Sequence, residues 1–171
     1  VFDRIRQCRN NCIFCFIAQM PQGMRPSLYV RDDDYRMSFL TGSFITLSNM
    51  NEADIERIVR FHLSPLHVSV HTTNGELRKR MMRQDETENI MAQLRRLTEN
   101  DIELYCQIVL VPGYNDGAEF TKTLHDLASL QPQVLGVAVV PLGTTKFRAG
   151  CKELKPVTKE IAADIIRRSR P

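Results

Sequence analysis

The sequence predicts an α/β chain of mostly parallel strands joined by helices and arranged as a partial (β/α) barrel. Three observations predict it. Short β-branched runs alternate with helical apolar stripes at the spacing of βαβ units. The strand runs carry polar or small residues in one phase and aliphatic residues in the other, which suits a lumen that holds a polar ligand. Three cysteines crowd into residues 8–15, directly after the first candidate strand.

The elements run in order along the chain. "VFDRIR" (1–6) reads as a first strand leading into the cysteine loop, and "SFITLSN" (43–49) as a second, with Thr46 and Ser48 on one face. Asn51 caps a helix and Asp54 takes the capping-box position. Ile55, Ile58, Val59 and His62 form that helix's buried stripe. "LHVSVH" (66–71) is a strand with Leu66, Val68 and Val70 on one face and His67, Ser69 and His71 on the other. Asn74 caps a short helix through Met82. "ENIMAQLRRLTEN" (88–100) is a helix with Ile90, Leu94 and Leu97 inward. The strand at 102–111 stops at Pro112-Gly113, with Gln107 in phase with Tyr105. A helix at 118–130 turns Phe120, Leu124, Leu127 and Ala128 inward, and a strand at 134–143 places Gly136 in phase with Ala138. The last helix comes after Pro156, with Ile161, Ile165 and Ile166 inward.

With 171 residues, 43% hydrophobic and 25% charged, the chain has the composition of one ordinary folded domain. No apolar run approaches the ~20 residues that span a bilayer, so no membrane association is expected. The N-terminus lacks a signal-peptide layout. A net charge of +3 is too small to argue for nucleic acid. Five cysteines, an odd number without a secretion signal, fit a reducing compartment, so a cytoplasmic location is expected. An opening on Val1 and an end on "RRSRP" suggest a piece of a longer protein.

Thiols as dense as Cys8, Cys12 and Cys15 serve a disulfide, zinc or an iron–sulfur cluster. The compartment disfavours the disulfide. A structural zinc site wants four ligands, and the fourth would have to come from Cys106, Cys151 or a distant histidine. Cys106 reads as a small buried hydrophobe in phase with Leu104, Ile108 and Leu110. Cys151 has no assigned role. An iron–sulfur cubane takes four thiolates when fully ligated; three leave one iron open toward the cavity. Arg4, Arg6 and Arg9 can offset the cluster's negative charge, and Asn10 and Asn11 tolerate left-handed turns. The acidic run Asp32, Asp33 and Asp34 reads as a solvated loop paired with Arg31 and Arg36.

Cys8-Arg-Asn-Asn-Cys12-Ile-Phe14-Cys15 resembles the signature of the radical S-adenosylmethionine enzymes. With "LSPLHVSVHTT", "QIVLVPGYNDG" and "VAVVPLGTTKFR", the whole chain is similar to one bacterial branch of that family. Its members carry a PDZ-like segment before the radical barrel and a C-terminal domain of unknown function after it. The resemblance implies that residues 1–171 are the barrel core, lacking those flanking parts and the last strand.

It also implies a 4Fe–4S cluster on Cys8, Cys12 and Cys15. Its open iron chelates S-adenosylmethionine, which is cleaved to a 5′-deoxyadenosyl radical that abstracts hydrogen from a substrate the sequence does not identify. A flavodoxin- or ferredoxin-type reductant is the implied partner. Phe14 matches the aromatic beside adenine. Ser48-Asn49-Met50 stands where many members have Gly-Gly-Glu, with Asn49 as the substitute contact. Ser69, His71, Gln107 and Asn115 fall at strand ends where cofactor contacts lie, and Thr144 and Arg148 where substrate contacts lie. Two alternatives stay open: an iron–sulfur electron carrier or sensor that does not cleave the cofactor, and a zinc-stabilised structural domain.

Overall fold

Leu66, Val68 and Val70 are fully buried while His67 between them is half-buried, the alternation that a one-face-buried strand requires. The computed structural model describes residues 4–84 and 89–170. It contains a three-stranded parallel sheet of order β1-β2-β3: β1 Leu66–Ser69, β2 Leu104–Leu110 and β3 Val134–Pro141. Register pairs Leu66 with Leu104 and Val68 with Cys106, and Tyr105 with Gly136 and Gln107 with Ala138. The sheet is open, an α/β arrangement consistent with a partial β/α barrel.

Helices cover one face. They are α1 Tyr35–Thr41, α2 Glu52–Phe61, α3 Gly75–Met82, α4 Ile90–Thr98, α5 Gly117–Ala128 and α6 Lys159–Arg168. The core joins Ile55 and Ile58 of α2, Ile90, Leu94 and Leu97 of α4, and Phe120 and Leu127 of α5 to the aliphatic phase of β1 and β2. Cys106 lies in this layer at 1% exposure, as its phase predicts. The other face carries His67, Tyr105, Gln107, Gly136 and Ala138. The capping box at Asn51 and Asp54 is formed on both sides, and Asn74 and Asn89 accept from the first turns of α3 and α4. Among the described residues no helix is long and apolar enough to cross a membrane.

Several expectations are corrected. The strand at 43–49 shrinks to one parallel bridge, Ile45 to Val68. Its ladder ends because the Thr46 N–H is taken by the Asp33 carboxylate at 2.6 Å and Leu47 turns at φ 60°. Of the strand at 1–6, residues 1–3 lie outside the described residues and 4–6 are not strand; the pairing that occurs is an antiparallel bridge between Gln7 and Asp32. The acidic run is not a solvated loop. Asp33 and Asp34 are buried, and Asp34 caps α1 while pairing with Arg36 and with the Arg6 backbone. Neither Asn10 nor Asn11 is left-handed.

Three helix faces also shift. His62 is the exposed left-handed C-cap of α2, so it leaves the stripe. In α5, Thr123 is buried where Ala128 is exposed. In α6, Ile165 faces in at 6% exposure and Ile166 faces out at 55%. The 88–100 helix begins at Ile90, and its Glu88 lies outside the described residues. Ile165→Ala is expected to destabilise the fold by about 2 kcal/mol or more through a cavity, and Ile166→Ala by less than about 0.5 kcal/mol. Urea unfolding of the two variants checks this.

Candidate functional site

The cysteine loop is strung along the end of α3. Asn11 N–H donates to Met82 O at 3.0 Å and Ile13 N–H to Met81 O at 2.9 Å, which fixes Cys12 between them. Cys8 N–H donates to Arg31 O at 2.7 Å, and Cys15 N–H returns to Cys12 O at 3.1 Å. All three cysteines are free thiols lining one cavity of about 550 Å³. Phe14, Ser69, His71 and Gln107 line it too. That volume lies within the range of about 300–1,000 Å³ typical of small-molecule sites.

Buried polar side chains hold this loop from behind. The Asn10 amide donates to Thr46 Oγ1 at 2.9 Å and to Cys8 Sγ at 3.3 Å, while its Oδ1 accepts from Ser48 at 3.0 Å. Asp33 accepts from Thr46 N and Oγ1 at 2.6 and 2.7 Å. Arg78, 1% exposed, donates to Thr46 O at 2.7 Å, Ser69 O at 3.1 Å and Val70 O at 3.1 Å. It therefore ties the Ile45 bridge segment to the end of β1.

Burial governs the thiols. It pushes Cys12 up to about 12, with the neighbouring Cys8 and Cys15 adding to it. Cys8 is also raised, by burial first and then by Asp33. Such thiols stay protonated until a metal takes the proton's place. Among the described residues, no three metal-ligating side chains converge on a single ion's position. A zinc site needs donors meeting at ~2.0–2.3 Å from one point. A cubane binds each thiolate through a different iron, so its ligands stand around a volume. The three thiols share the lining of one cavity, and thiolate is the donor type that a 4Fe–4S cluster takes.

His71 is the most constrained residue of the site. It adopts φ 64°, a conformation unusual for a residue with a side chain. Asn115 holds it there: its amide donates to His71 O at 2.8 Å and Val109 O at 2.9 Å, and its Oδ1 accepts from Val111 N–H at 2.8 Å. His71 Nδ1 accepts the Val109 N–H at 3.2 Å, so the ring proton sits on Nε2. The Phe14 ring meets the imidazole edge-on at 4.6 Å between centroids. Burial, then Arg78, lowers the His71 pKa to about 3.

The remaining candidates separate. Ser69, His71, Gln107 and Phe14 come together around the three cysteines. Asn49 and Asn115 do not line the cavity. The Asn49 amide donates to Asp33 O at 3.0 Å, and its buried Oδ1 has no partner among the described residues. Thr144 is exposed outside the cavity lining, and Arg148 donates to Ile13 O at 3.3 Å and Lys152 O at 2.7 Å. Arg6 pairs with Asp54 at 2.6 Å rather than facing the thiols. Cys151 lies with its sulfur 3.8 Å from Ala18 O.

Sequence reasoning missed Gln19 and Arg78, and read Asn10 only as a turn residue. Gln19, 2% exposed, donates to Gly143 O at 3.0 Å and accepts from Thr145 N–H at 2.9 Å, fastening the loop after the cysteines to the chain beyond β3. For Arg78 a signal existed: it shares the stripe Leu77, Met81 and Met82 on α3.

An open parallel β/α sheet with a three-cysteine loop at one cavity defines the class. The chain belongs to a known family, because the family model described as a radical SAM-like domain matches residues 1–137. A domain of pyruvate-formate lyase-activating enzyme from Bacteroides vulgatus ATCC 8482 is similar in fold, with 16% identity, 73% of each chain covered and a TM-score of 0.56. A radical SAM methyltransferase from Sphaerobacter thermophilus shares 21% identity over 75% of this chain and 38% of its own, with a TM-score of 0.46. No curated protein matches the chain.

The low His71 pKa sets a pH dependence. The unfolded imidazole titrates near 6.5 and the folded one near 3, so between these values the unfolded state binds one more proton. Stability is complete above about 6.5 and falls as pH drops toward 3, by up to about 1.4 kcal/mol per pH unit. His71→Gln is expected to remove this component. Urea unfolding of both proteins from about pH 7 to about pH 5 measures the difference in slope.

Proposed function

We propose that this chain is the core of an enzyme that holds a 4Fe–4S cluster on Cys8, Cys12 and Cys15 and binds S-adenosylmethionine in the adjoining cavity. The observation that carries the reading is the meeting of the three thiols with Phe14, Ser69, His71 and Gln107 around one space. When bound, the cluster supplies one electron that cleaves a carbon–sulfur bond of S-adenosylmethionine, yielding methionine and a 5′-deoxyadenosyl radical able to abstract a substrate hydrogen.

The chain's own residues bind and orient. Phe14, fixed against His71, offers an aromatic surface beside the cysteines. His71 presents Nε2–H as a donor that does not change with pH in the neutral range, and Ser69 and Gln107 add polar groups on the same wall. The Asn10 amide against Cys8 Sγ favours the thiolate form of that ligand. A flavodoxin- or ferredoxin-type reductant and a cytoplasmic setting accompany this reading.

One observation favours a second reading, an electron carrier that leaves the cofactor intact. Asn49, at the Gly-Gly-Glu position, spends its amide on Asp33 O and Gln7 O instead of the cavity. Anaerobic reconstitution separates the readings. Cys12→Ala is expected to lose nearly all bound iron and Cys106→Ala to keep it; equal loss in both overturns the ligand assignment. Dithionite and S-adenosylmethionine added to the loaded protein should then yield 5′-deoxyadenosine. Iron without that product supports the carrier.

A further inference from the structure

Arg78 carries more than hydrogen bonds. Its Nε and Nη2 serve three strand-end carbonyls, but its Nη1 is buried with no partner among the described residues. The guanidinium makes no ion pair among the described residues. The buried carboxylate that acts on it, Asp33, spends both oxygens on Thr46. Burial lowers the Arg78 pKa only to about 10, so it stays charged at neutral pH. A buried cation without a direct counter-charge carries an uncompensated desolvation cost.

Its surroundings indicate what offsets that cost. The carbonyls of Thr46 and Ser69 that Arg78 holds belong to residues lining the cysteine cavity. Asp33 and Cys12 are the acidic groups coupled to it, Cys12 the more strongly once it is a thiolate. Cys12 itself is pinned to the far end of the same helix through Asn11 and Ile13. The charge thus stands directly behind the wall where three thiolates would gather.

We propose that Arg78 is a positioning residue whose fixed positive charge holds the negative charge of a thiolate-ligated cluster at its Cys12 corner and raises the cluster's reduction potential. This inference rests on the cluster reading above. The physics is the sign of the charge. Reduction adds one electron to an already anionic group, and a nearby cation stabilises the more negative state. A neutral donor could satisfy the carbonyls but could not do this.

The test compares the reconstituted wild type with Arg78→Gln and Arg78→Lys by anaerobic redox titration monitored by EPR, with near-UV circular dichroism to confirm folding. The expected result is a lower midpoint potential and faster iron loss to a chelator for Arg78→Gln, with Arg78→Lys close to wild type in potential. A purely structural role would lower the melting temperature of both variants and leave the potential unmoved, which overturns the proposal. Should Arg78→Gln not fold, Arg78→Met, also uncharged and of similar length, takes its place beside Arg78→Lys. A midpoint lower in Arg78→Met than in Arg78→Lys supports the charge role, and equal midpoints contradict it. A wild type that takes up no iron overturns the proposal together with the reading beneath it, whereas loaded variants of equal midpoint overturn the proposal alone.

Discussion

Burying Asn10, Asp33 and Arg78 behind the cysteine loop is the constraint on which the site depends. A protein interior requires buried polar atoms to be engaged, and those of the three are, apart from Arg78 Nη1. Each is engaged by the backbone or side chain of Thr46. Thr46 is therefore where the cysteine loop, the acidic segment and α3 meet. The geometry explains why the chain abandons a regular strand there. A Thr46 paired into a ladder could not give its N–H to Asp33. The single bridge at Ile45 keeps the segment beside β1, and the turn at Leu47 leads the chain away from the sheet toward α2.

The same logic runs along the strand ends. Asn115 spends its whole amide on the backbone around His71, and that backbone turns the imidazole toward the cysteines. Phe14, from the cysteine loop, closes on the ring from the other side. Gln19 ties the far end of the loop to residues beyond β3. The loop is thus held at its start by the Arg31 carbonyl, in its middle by α3 and at its end by Gln19. Such a frame holds the loop chiefly through its backbone, with the Asn10 side-chain amide on Cys8 the one side-chain hydrogen bond to a sulfur of the three among the described residues.

Much of this was legible in the sequence, for identifiable reasons. The aliphatic phase of the strands, the capping residues Asn51 and Asn74 and the tight cysteine spacing are local signals, and they placed the sheet, two helix starts and the cavity's sulfur side. Cys106 came from strand phase alone. What escaped were long-range pairings. Nothing local distinguishes the buried Asp33 from the solvent-facing acid its charged neighbours suggest. The bond that ends the 43–49 strand comes from a residue 13 positions away. Ile165 and Ile166 differ only in rotation about the helix. Arg78 was the avoidable omission, since a charged residue among Leu77, Met81 and Met82 breaks an apolar stripe and so requires a partner.

The proposed function requires three cysteines to bind a cubane by three of its corners and to leave the fourth iron accessible to S-adenosylmethionine. Mössbauer spectroscopy of the anaerobically reconstituted, iron-57-labelled chain, with and without S-adenosylmethionine, tests it most directly. The expected spectrum has one iron site distinct from the other three, whose parameters change when S-adenosylmethionine is added. Four irons that ignore S-adenosylmethionine, or a chain that binds no cluster, would contradict it.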